Sequence, residues 1–152
     1  MPEIISNSHD ETAVLGIKIA SLLGAGSVAA LNGTLGSGKT CICKGIAQGL
    51  GITENLTSPT YTIINEYPVY SQAAGRLVFY HIDAYRLNSS REFEDIGGME
   101  ILNSGNICVI EWSERIINCL PPDAITITLQ ITGEQSRLIN IDGLKGELNF
   151  DK

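Results

Sequence analysis

The apolar positions in the first third of the chain form two helical patterns on either side of one short continuous run. A capping-box pattern at residues 8–11 precedes apolar residues at helical spacing, which predicts a helix over residues 10–23. The apolar run at 28–31 is too short for a helix and is bounded by glycines, so we interpret it as a buried strand. Helix-compatible residues at 39–50, followed by Gly51, predict a second helix with a left-handed C-terminal cap.

The middle of the chain alternates between strand-like and helix-like stretches. Two apolar runs, at 61–67 and 77–83, are separated by a polar segment that contains glycine, and they predict an antiparallel pair. A second capping-box pattern at 89–92 begins a short helix, which Gly97 and Gly98 interrupt.

The last third combines a buried strand with a hairpin. Residues 106–110 read as a buried strand, and residues 112–120 as a helix that two prolines stop. Apolar residues alternate with polar ones over 125–131, and a further strand at 137–141 follows a glycine-containing turn. This pattern predicts a hairpin with one solvent-exposed face. This order of elements predicts an α/β sandwich with a mixed sheet, parallel near the glycine-rich stretch and antiparallel at its edge.

Length and composition fit one folded domain. The 152 residues leave no room for a second domain of ordinary size, so we assign 1–152 to one domain, with a polar C-terminal tail from about residue 143. An apolar content of 43% and a charged content of 18% argue against disorder. A net charge of −7, with no basic cluster to offset it locally, disfavours autonomous tight binding to nucleic acid.

The cysteines and histidines form neither a C-x-x-C pair nor a zinc-ligand spacing. They are Cys41, Cys43, Cys108, Cys119, His9 and His81. We therefore expect reduced thiols that pack as small core residues. The apolar stretch 13–31 resembles a signal peptide, but acidic residues precede it and Lys18 interrupts it, so we expect a cytoplasmic protein without a membrane segment.

The strongest chemical signal is the glycine-rich stretch at residues 33–40, which matches G-x-x-x-x-G-K-[ST] at every fixed position. A phosphate chain needs backbone N–H groups turned inward around it, which glycines permit, and the following helix adds its positive N-terminal end. We expect Lys39 to reach the β- and γ-phosphates and Thr40 to give a hydroxyl ligand to Mg²⁺. The alternative is an accidental glycine-rich turn, which the strand before it and the helix after it disfavour.

A site of this kind also needs an acidic residue at the end of a neighbouring buried strand, where it holds the metal directly or through water. Glu111 follows the apolar run at 106–110, in the usual place for ligands at the carboxyl end of an open sheet. The alternative is a solvated carboxylate that favours the start of the next helix.

Two further segments carry polar groups suited to phosphate chemistry. The hydroxyls of a proline-stiffened segment ending at Thr60 can sense a γ-phosphate or its metal, or else form an ordinary turn. Period-two alternation places His81, Asp83 and Tyr85 on one side of an extended segment. Asp83 could orient the attacking water or form a structural ion pair, and Arg86 could contact a phosphate or a carboxylate. We expect His81 to be a hydrogen-bonded structural residue.

Together these segments resemble the TsaE family, formerly called YjeE, the small bacterial ATPases of tRNA threonylcarbamoyladenosine synthesis. The matching blocks are the helix start at 10–12, GTLGSGKT at 33–40, TSPTYTIINEY at 57–67, HIDAYRL at 81–87 and VIEWSE at 109–114. They cover nearly the whole chain in the family's order. The S-P-T-[FY] and H-x-D-x-Y-R blocks are more specific than the glycine-rich loop alone.

The resemblance implies a P-loop ATPase fold with a mixed sheet, and it implies roles for individual residues. ATP would contact the loop, the helix start and the tryptophan: Glu11, Thr12, Gly36, Ser37, Gly38, Lys39, Thr40, Cys41 and Trp112. Mg²⁺ would be held by Thr40 and Glu111. Hydrolysis would depend most on Asp83, with Thr60 on a switch-like loop and Lys39 at the phosphates.

The resemblance also implies a pathway. TsaD and TsaB transfer threonylcarbamoyl to adenosine 37 of tRNAs that read ANN codons, and a TsaE-like ATPase, weak alone and stimulated in the complex, supports their turnover. It meets tRNA only indirectly, through that complex. Three loop positions depart from the family's usual residues: Thr34 replaces Asp, Ser37 replaces Ala, and Cys41 replaces Thr or Ser. Because a loop Asp orders the loop or contacts metal-bound water, Thr34 bears on the basal rate.

Two other functions stay open at this point. A small-molecule kinase usually closes arginine-bearing lids over the phosphates, whereas the arginines of this chain are scattered along it. A nucleotide-dependent binding module would use ATP occupancy to switch its affinity for a partner, with hydrolysis as a reset.

Overall fold

The structure is a computed structural model that describes residues 3–54, 56, 64–71 and 75–148. Its strands are β1 Glu3–Ser6, β2 Val28–Asn32, β3 Ile64–Ser71, β4 Gly75–Asp83, β5 Ile107–Glu111, β6 Ile125–Ile131 and β7 Arg137–Asp142. Its helices are α1 His9–Ala20, α2 Lys39–Gly49, α3 Ser90–Asp95, α4 Gly98–Leu102 and a 3-10 helix Ser113–Cys119. The predicted loop residue Thr60, and the start of the predicted strand at 61–63, lie outside the described residues.

All seven strands belong to one mixed sheet, in the order β1-β7-β6-β2-β5-β4-β3. The four central strands, β6, β2, β5 and β4, run parallel to one another. The flanking strands β3, β7 and β1 pair antiparallel. This arrangement confirms the predicted mixed sheet, with its parallel part next to the glycine-rich loop that follows β2.

The buried strands send alternate side chains into two cores, one on each face of the sheet. On β5, Ile107 and Val109 pack in the core beneath α1 and α2, while Cys108 and Ile110 pack in the core beneath the short helices. Successive side chains of a strand point to opposite faces, so a sheet covered on both faces needs continuous apolar strands. The short apolar runs at 28–31 and 106–110 have this character.

Close packing of α1 against α2 brings the start of α1 to the start of the loop helix. A Cβ atom on Gly45 would lie 2.3 Å from the carbonyl oxygen of Ala13, so only glycine allows this approach of the two backbones. At the N-terminal ends, the thiol of Cys41 donates a hydrogen bond of 3.3 Å to the carbonyl of His9. The helix start is thereby positioned beside the glycine-rich loop.

The predicted caps of the first two helices are confirmed. The amide of Glu11 donates to the hydroxyl of Ser8 over 3.1 Å. At the end of α2, Gly51 has a φ of 87°, and the amide of Ile52 donates to the carbonyl of Ala47 over 3.0 Å, which is a Schellman motif. The first helix ends at Ala20 rather than at residue 23, because the chain continues in tight turns with hydrogen bonds between residues three apart.

Three other elements differ from the sequence prediction. Strand β1 was not predicted, and it pairs antiparallel with β7 at the edge of the sheet. The predicted helix at 112–120 is a 3-10 helix with a break at Ile116, whose φ and ψ are −130° and 35°. In the predicted polar tail, Leu144 and Leu148 pack against the core beneath α1 and α2. None of the helices in the described ranges has the length and apolar character needed to cross a membrane.

Candidate functional site

The glycine-rich loop, the start of α2 and the ends of β4 and β5 enclose one cleft of about 380 Å³. It lies at the carboxyl end of the parallel strands, where open α/β sheets bind their ligands. The cleft is lined by His9, Leu35, Gly36, Ser37, Gly38, Lys39, Thr40, Cys41, Asp83, Tyr85, Glu111 and Trp112. Nine of these twelve residues, all but His9, Leu35 and Tyr85, are among the predicted site residues.

The loop itself is a tight turn that only glycines permit at two positions. Gly36 and Gly38 have φ values of 80° and 106°, and the amide of Ser37 donates to the carbonyl of Thr34 over 3.0 Å. Gly38 is the N-cap of α2 and offers no side-chain acceptor, so the first amides of the helix are free of a side-chain cap. This is the geometry of an anion site at a helix N-terminus.

Lys39 lies beneath the loop with 5% of its surface exposed. Its ammonium group donates to the carbonyls of Gly33 and Thr34, the latter over 3.2 Å, and lies 3.6 Å from the centre of the Trp112 ring. Burial lowers the pKa of this ammonium group below its ordinary value of 10.5, although the nearby carboxylates of the cleft act in the opposite direction. The group is thus a cation with little water around it, set to exchange carbonyl oxygens for anionic ones.

Glu111 connects the loop helix to β4. One oxygen of this buried carboxylate accepts a hydrogen bond of 3.1 Å from the hydroxyl of Thr40, and the other lies 2.7 Å from Nε2 of His81. His81 therefore has the predicted hydrogen-bonded structural role, because its ring fixes the orientation of the Glu111 carboxylate. A ligand carboxylate or imidazole held by an outer partner is the usual arrangement at protein metal sites.

The thiol of Cys43 completes a small buried group with His81 and Glu111, all three ligand atoms lying within 4.8 Å of one another. Burial raises the pKa of this thiol well above its usual range, so it is a neutral core group. The hydrogen bond between His81 and Glu111 explains why the polar pair is tolerated here.

Asp83 stands next to Glu111 in the sheet, since the two residues are register partners at the ends of β4 and β5. Its Oδ1 accepts a hydrogen bond of 3.0 Å from the amide of Tyr85, which fixes the carboxylate at the wall of the cleft. Because β4 ends at Asp83, Tyr85 belongs to the following turn rather than to the strand, and its ring packs against Trp112 with 4.9 Å between ring centres. Arg86 is exposed.

Trp112 has an unusual backbone. Its φ of 60° makes it the one non-glycine residue with a positive φ among the described residues. Such a conformation costs about 1–2 kcal/mol for an L-residue, and strained positions concentrate at functional sites. The strain turns the chain sharply after Glu111, and the indole ring then lies over Lys39.

The two predicted contacts at the helix start lie beside the cleft without lining it. Glu11 accepts a hydrogen bond of 2.8 Å from the amide of Asn7, and its side chain faces solvent. Thr12 is buried, with its hydroxyl 2.6 Å from that of Ser6. His9, which was not singled out, does line the cleft. Nucleotide contacts by Glu11 and Thr12 stay predictions.

Two sets of polar contacts at the site were not predicted from the sequence. The amide of Asn32, oriented to donate, bonds the hydroxyl of Ser113 and lies 3.2 Å from a carboxylate oxygen of Glu114, which ties the end of β2 to the segment after β5. Arg137, at the start of β7, donates to the backbone carbonyls of the glycine-rich loop from behind. No local pattern marks either contact, because each joins residues far apart in the chain.

Comparisons with known proteins agree with this geometry. The family model described as "Threonylcarbamoyl adenosine biosynthesis protein TsaE" matches residues 6–139. The chain is 44% identical over 137 residues to the tRNA threonylcarbamoyladenosine biosynthesis protein TsaE of Treponema pallidum (strain Nichols), covering 90% of this chain and 97% of that protein. It is 38% identical over 130 residues to the protein of the same name from Bacillus subtilis (strain 168), covering 86% and 78%.

A solved structure shares the fold. The crystal structure of Bacillus subtilis YdiB superposes with a TM-score of 0.77 at 30% sequence identity, over 95% of this chain and 86% of that one. The match of the family model extends from the end of β1 into β7, and so includes the loop, both helices that flank it and every described residue of the cleft. The chain belongs to the TsaE family of threonylcarbamoyl adenosine biosynthesis proteins.

Proposed function

We propose that the chain is a magnesium-dependent ATPase that acts in tRNA threonylcarbamoyladenosine biosynthesis and supports turnover of a TsaD–TsaB transferase complex at adenosine 37 of tRNAs reading ANN codons. The observation that carries the proposal is the pairing of the Thr40 hydroxyl with the Glu111 carboxylate, 3.1 Å apart, directly behind a phosphate-binding loop. A loop of this kind binds phosphates in many folds, but a hydroxyl and a carboxylate at this spot are what Mg²⁺-nucleotide chemistry needs.

The donor set suits Mg²⁺. Both candidate ligand atoms are oxygens and both residues line the cleft, while the second carboxylate oxygen is paired with His81. Bound there, Mg²⁺ would neutralise charge on the terminal phosphates.

The residues of this chain would bind and orient the nucleotide. The N-terminal amides of α2 and the loop would hold the phosphates, and the ammonium group of Lys39 would leave the carbonyls of Gly33 and Thr34 for phosphate oxygens. Since this exchange removes one set of acceptors and supplies charged ones, it favours the bound state. The Trp112 ring, 3.6 Å from the ammonium group, would sense the change.

Asp83 is the residue that we assign to the attacking water. It lines the cleft, and its Oδ1 is held by the amide of Tyr85, so its second oxygen is available toward the cleft. A carboxylate in this position can orient a water molecule or accept its proton. Thr60 would add a hydroxyl from the switch-like loop.

Two measurements test the proposal. Release of orthophosphate from ATP by the purified protein should require Mg²⁺ and should rise when TsaD, TsaB and tRNA are added. Lys39→Ala should abolish ATP binding, while Lys44→Ala, which removes an exposed ammonium from the same helix, should leave it intact. Absence of ATP binding by the wild-type protein, or equal ATP affinity of the two variants, would refute the site.

Reconstituted tRNA modification separates the roles of hydrolysis. With wild-type protein and ATP, modified adenosine should accumulate over many turnovers, and omission of the protein should reduce the yield. If a non-hydrolysable ATP analogue gave the full yield, hydrolysis would not drive turnover, and the protein would act as a nucleotide-dependent binding module.

A further inference from the structure

We propose that Arg137 is a positioning residue for nucleotide binding, which holds the phosphate loop from behind and couples it to the hairpin turn between β6 and β7. The inference rests on the proposed ATPase function, because it assigns a role toward the same loop. Arg137 is the first residue of β7 and stands far from the loop in sequence.

The guanidinium of Arg137 makes hydrogen bonds to four backbone carbonyls. Nε donates to Ser37 over 3.0 Å and Nη2 donates to Gly36 over 3.0 Å, so both bonds reach consecutive residues of the phosphate loop. Nη1 donates to Gly133 over 3.2 Å and to Ser136 over 2.8 Å, in the turn that precedes β7. One planar group therefore joins the loop to the hairpin.

Among the described residues, the hydrogen-bond partners of this guanidinium are those four carbonyls. Arg137 is 7% exposed, and within the described part of the chain no carboxylate forms an ion pair with it. A guanidinium does not lose its proton in a protein, so a full positive charge stays buried behind the loop. Burial of a charge without an ion-pair partner is costly and adds little to stability, whereas a fixed positive charge beside a phosphate site strengthens anion binding.

The hydrogen bonds also fix the direction in which the loop amides point. A trans peptide unit places its C=O and N–H on opposite sides, and the structure contains no cis peptide bond in its described residues. Because the Ser37 carbonyl points to Arg137, the amide of Gly38 in the same peptide unit points away from it. Arg137 therefore pre-organises the donor that a phosphate meets at the entry to α2, which lowers the ordering needed on binding.

A lysine cannot replace this arrangement. Its ammonium is a point charge on a flexible stem, while the guanidinium is a rigid fork that spans acceptors on two segments. Arg137→Lys thus keeps the charge and removes the fork. If the guanidinium only stabilised the hairpin turn, Arg137→Lys would lower the stability of the fold and leave nucleotide affinity unchanged at temperatures where the protein is folded.

The test measures the dissociation constant for ATP with Mg²⁺ by isothermal titration calorimetry, together with steady-state hydrolysis and the melting temperature. Arg137→Lys should raise the dissociation constant and KM on the order of tenfold, the effect of losing about one charge-assisted hydrogen bond, with kcat nearly unchanged. Ile139→Val, a cavity variant of the same strand, should lower the melting temperature without changing affinity. Arg91→Lys, at an exposed position of α3, should change neither.

A second measurement on the wild-type protein does not depend on the folding of any variant. Hydrogen–deuterium exchange should show that saturating Mg-ATP slows amide exchange both in the loop at 33–38 and in the turn at 132–137, since the two are coupled through Arg137. Unchanged affinity in Arg137→Lys, or an unprotected turn beside a protected loop, would overturn the inference. Failure of the wild-type protein to bind ATP would instead refute the proposed function.

Discussion

Replacement of Glu111 by glutamine separates metal binding from folding, because the side chain keeps its shape and loses its charge. Glu111 is 3% exposed, and its carboxylate has two partners, the Thr40 hydroxyl at 3.1 Å and Nε2 of His81 at 2.7 Å. The oxygen of a glutamine can accept from Nε2 of His81 while its amide donates to the hydroxyl of Thr40, so both contacts are kept. We therefore expect Glu111→Gln to cost less than about 1 kcal/mol of stability.

Glu111→Ala is the matched destabilising variant, since it removes the acceptor from both neighbours. Each buried group left unsatisfied costs about 1–3 kcal/mol, so we expect a loss of about 2–5 kcal/mol once partial rearrangement is included. At about 2–4 °C per kcal/mol for a chain of this size, the alanine variant should melt about 4–20 °C below wild type. The glutamine variant should melt within about 4 °C of it.

The Mg²⁺ dependence of hydrolysis should respond to the charge of residue 111, whereas stability responds mainly to its shape and hydrogen bonds. Unit charges about 4 Å apart interact by about 4 kcal/mol at an effective dielectric constant near 20, so loss of the carboxylate charge should raise the Mg²⁺ concentration for half-maximal hydrolysis by at least about tenfold. The assay is orthophosphate release against Mg²⁺ at saturating ATP, with Glu94→Gln on exposed α3 as the control. An unchanged Mg²⁺ curve in a folded Glu111→Gln protein would show that Glu111 is not a metal ligand.

Four further predictions follow from single contacts. Asp83→Ala should retain Mg-ATP affinity and lose at least about a hundredfold in kcat, the usual contribution of general acid–base catalysis; loss of binding in calorimetry would make the residue structural. Gly45→Ala should destabilise the fold by about 1–3 kcal/mol in denaturant unfolding, since its Cβ would lie 2.3 Å from a backbone oxygen of α1, whereas Gly24→Ala, with open space around it, should not. Under native conditions Cys41, the one partly exposed cysteine, should react first with a thiol reagent, and Mg-ATP should protect it because it lines the cleft. Burial raises the pKa of Cys108 to about 12 from 9.0, so above about pH 9 the thiol keeps its proton in the folded protein and loses it in the unfolded one. The free energy of unfolding should therefore fall as the pH rises above about 9, and it should fall less steeply in Cys108→Ala.

Much of the fold was accessible from the sequence because its elements carry strong local signals. The capping box before α1, the glycine at the end of α2 and the alternating residues of β6 each fix a boundary or a face through neighbours in the chain. Strand β1 carries no such signal. Its residues Glu3–Ser6 form a strand only because β7 offers a free edge, and that edge is a property of the assembled sheet.

The site residues, too, separate into those that local sequence signals predict and those that depend on the assembled sheet. Loop residues and Glu111 follow from motif and strand position, and the structure brings Thr40 and Glu111 within hydrogen-bond distance, as the metal-site prediction requires. The positive φ of Trp112 and the role of His81 as partner of Glu111 could not be read from spacing, because both arise where β4 and β5 end side by side. The hydrogen bonds of Arg137 could not be predicted either, because backbone carbonyls accept them and every residue in a sequence has one.

The distribution of buried charge explains how an acidic protein can present a phosphate site. With a net charge of −7, the surface repels anions at long range, so binding must come from groups shielded from that field. Among the described residues, the buried side chains of the Lys, Arg, His and Glu types are Lys39, Arg137, His81 and Glu111. Lys39 and Arg137 bond carbonyls of the loop, Glu111 contacts Thr40, and His81 holds Glu111. Apolar side chains would stabilise these positions at lower cost. The concentration of these four charged or titratable residues at one end of the sheet is therefore what the proposed nucleotide site would require. Lys39 would meet the phosphates, Arg137 holds the loop through its carbonyls, and the Glu111 carboxylate, held by His81, would meet the metal.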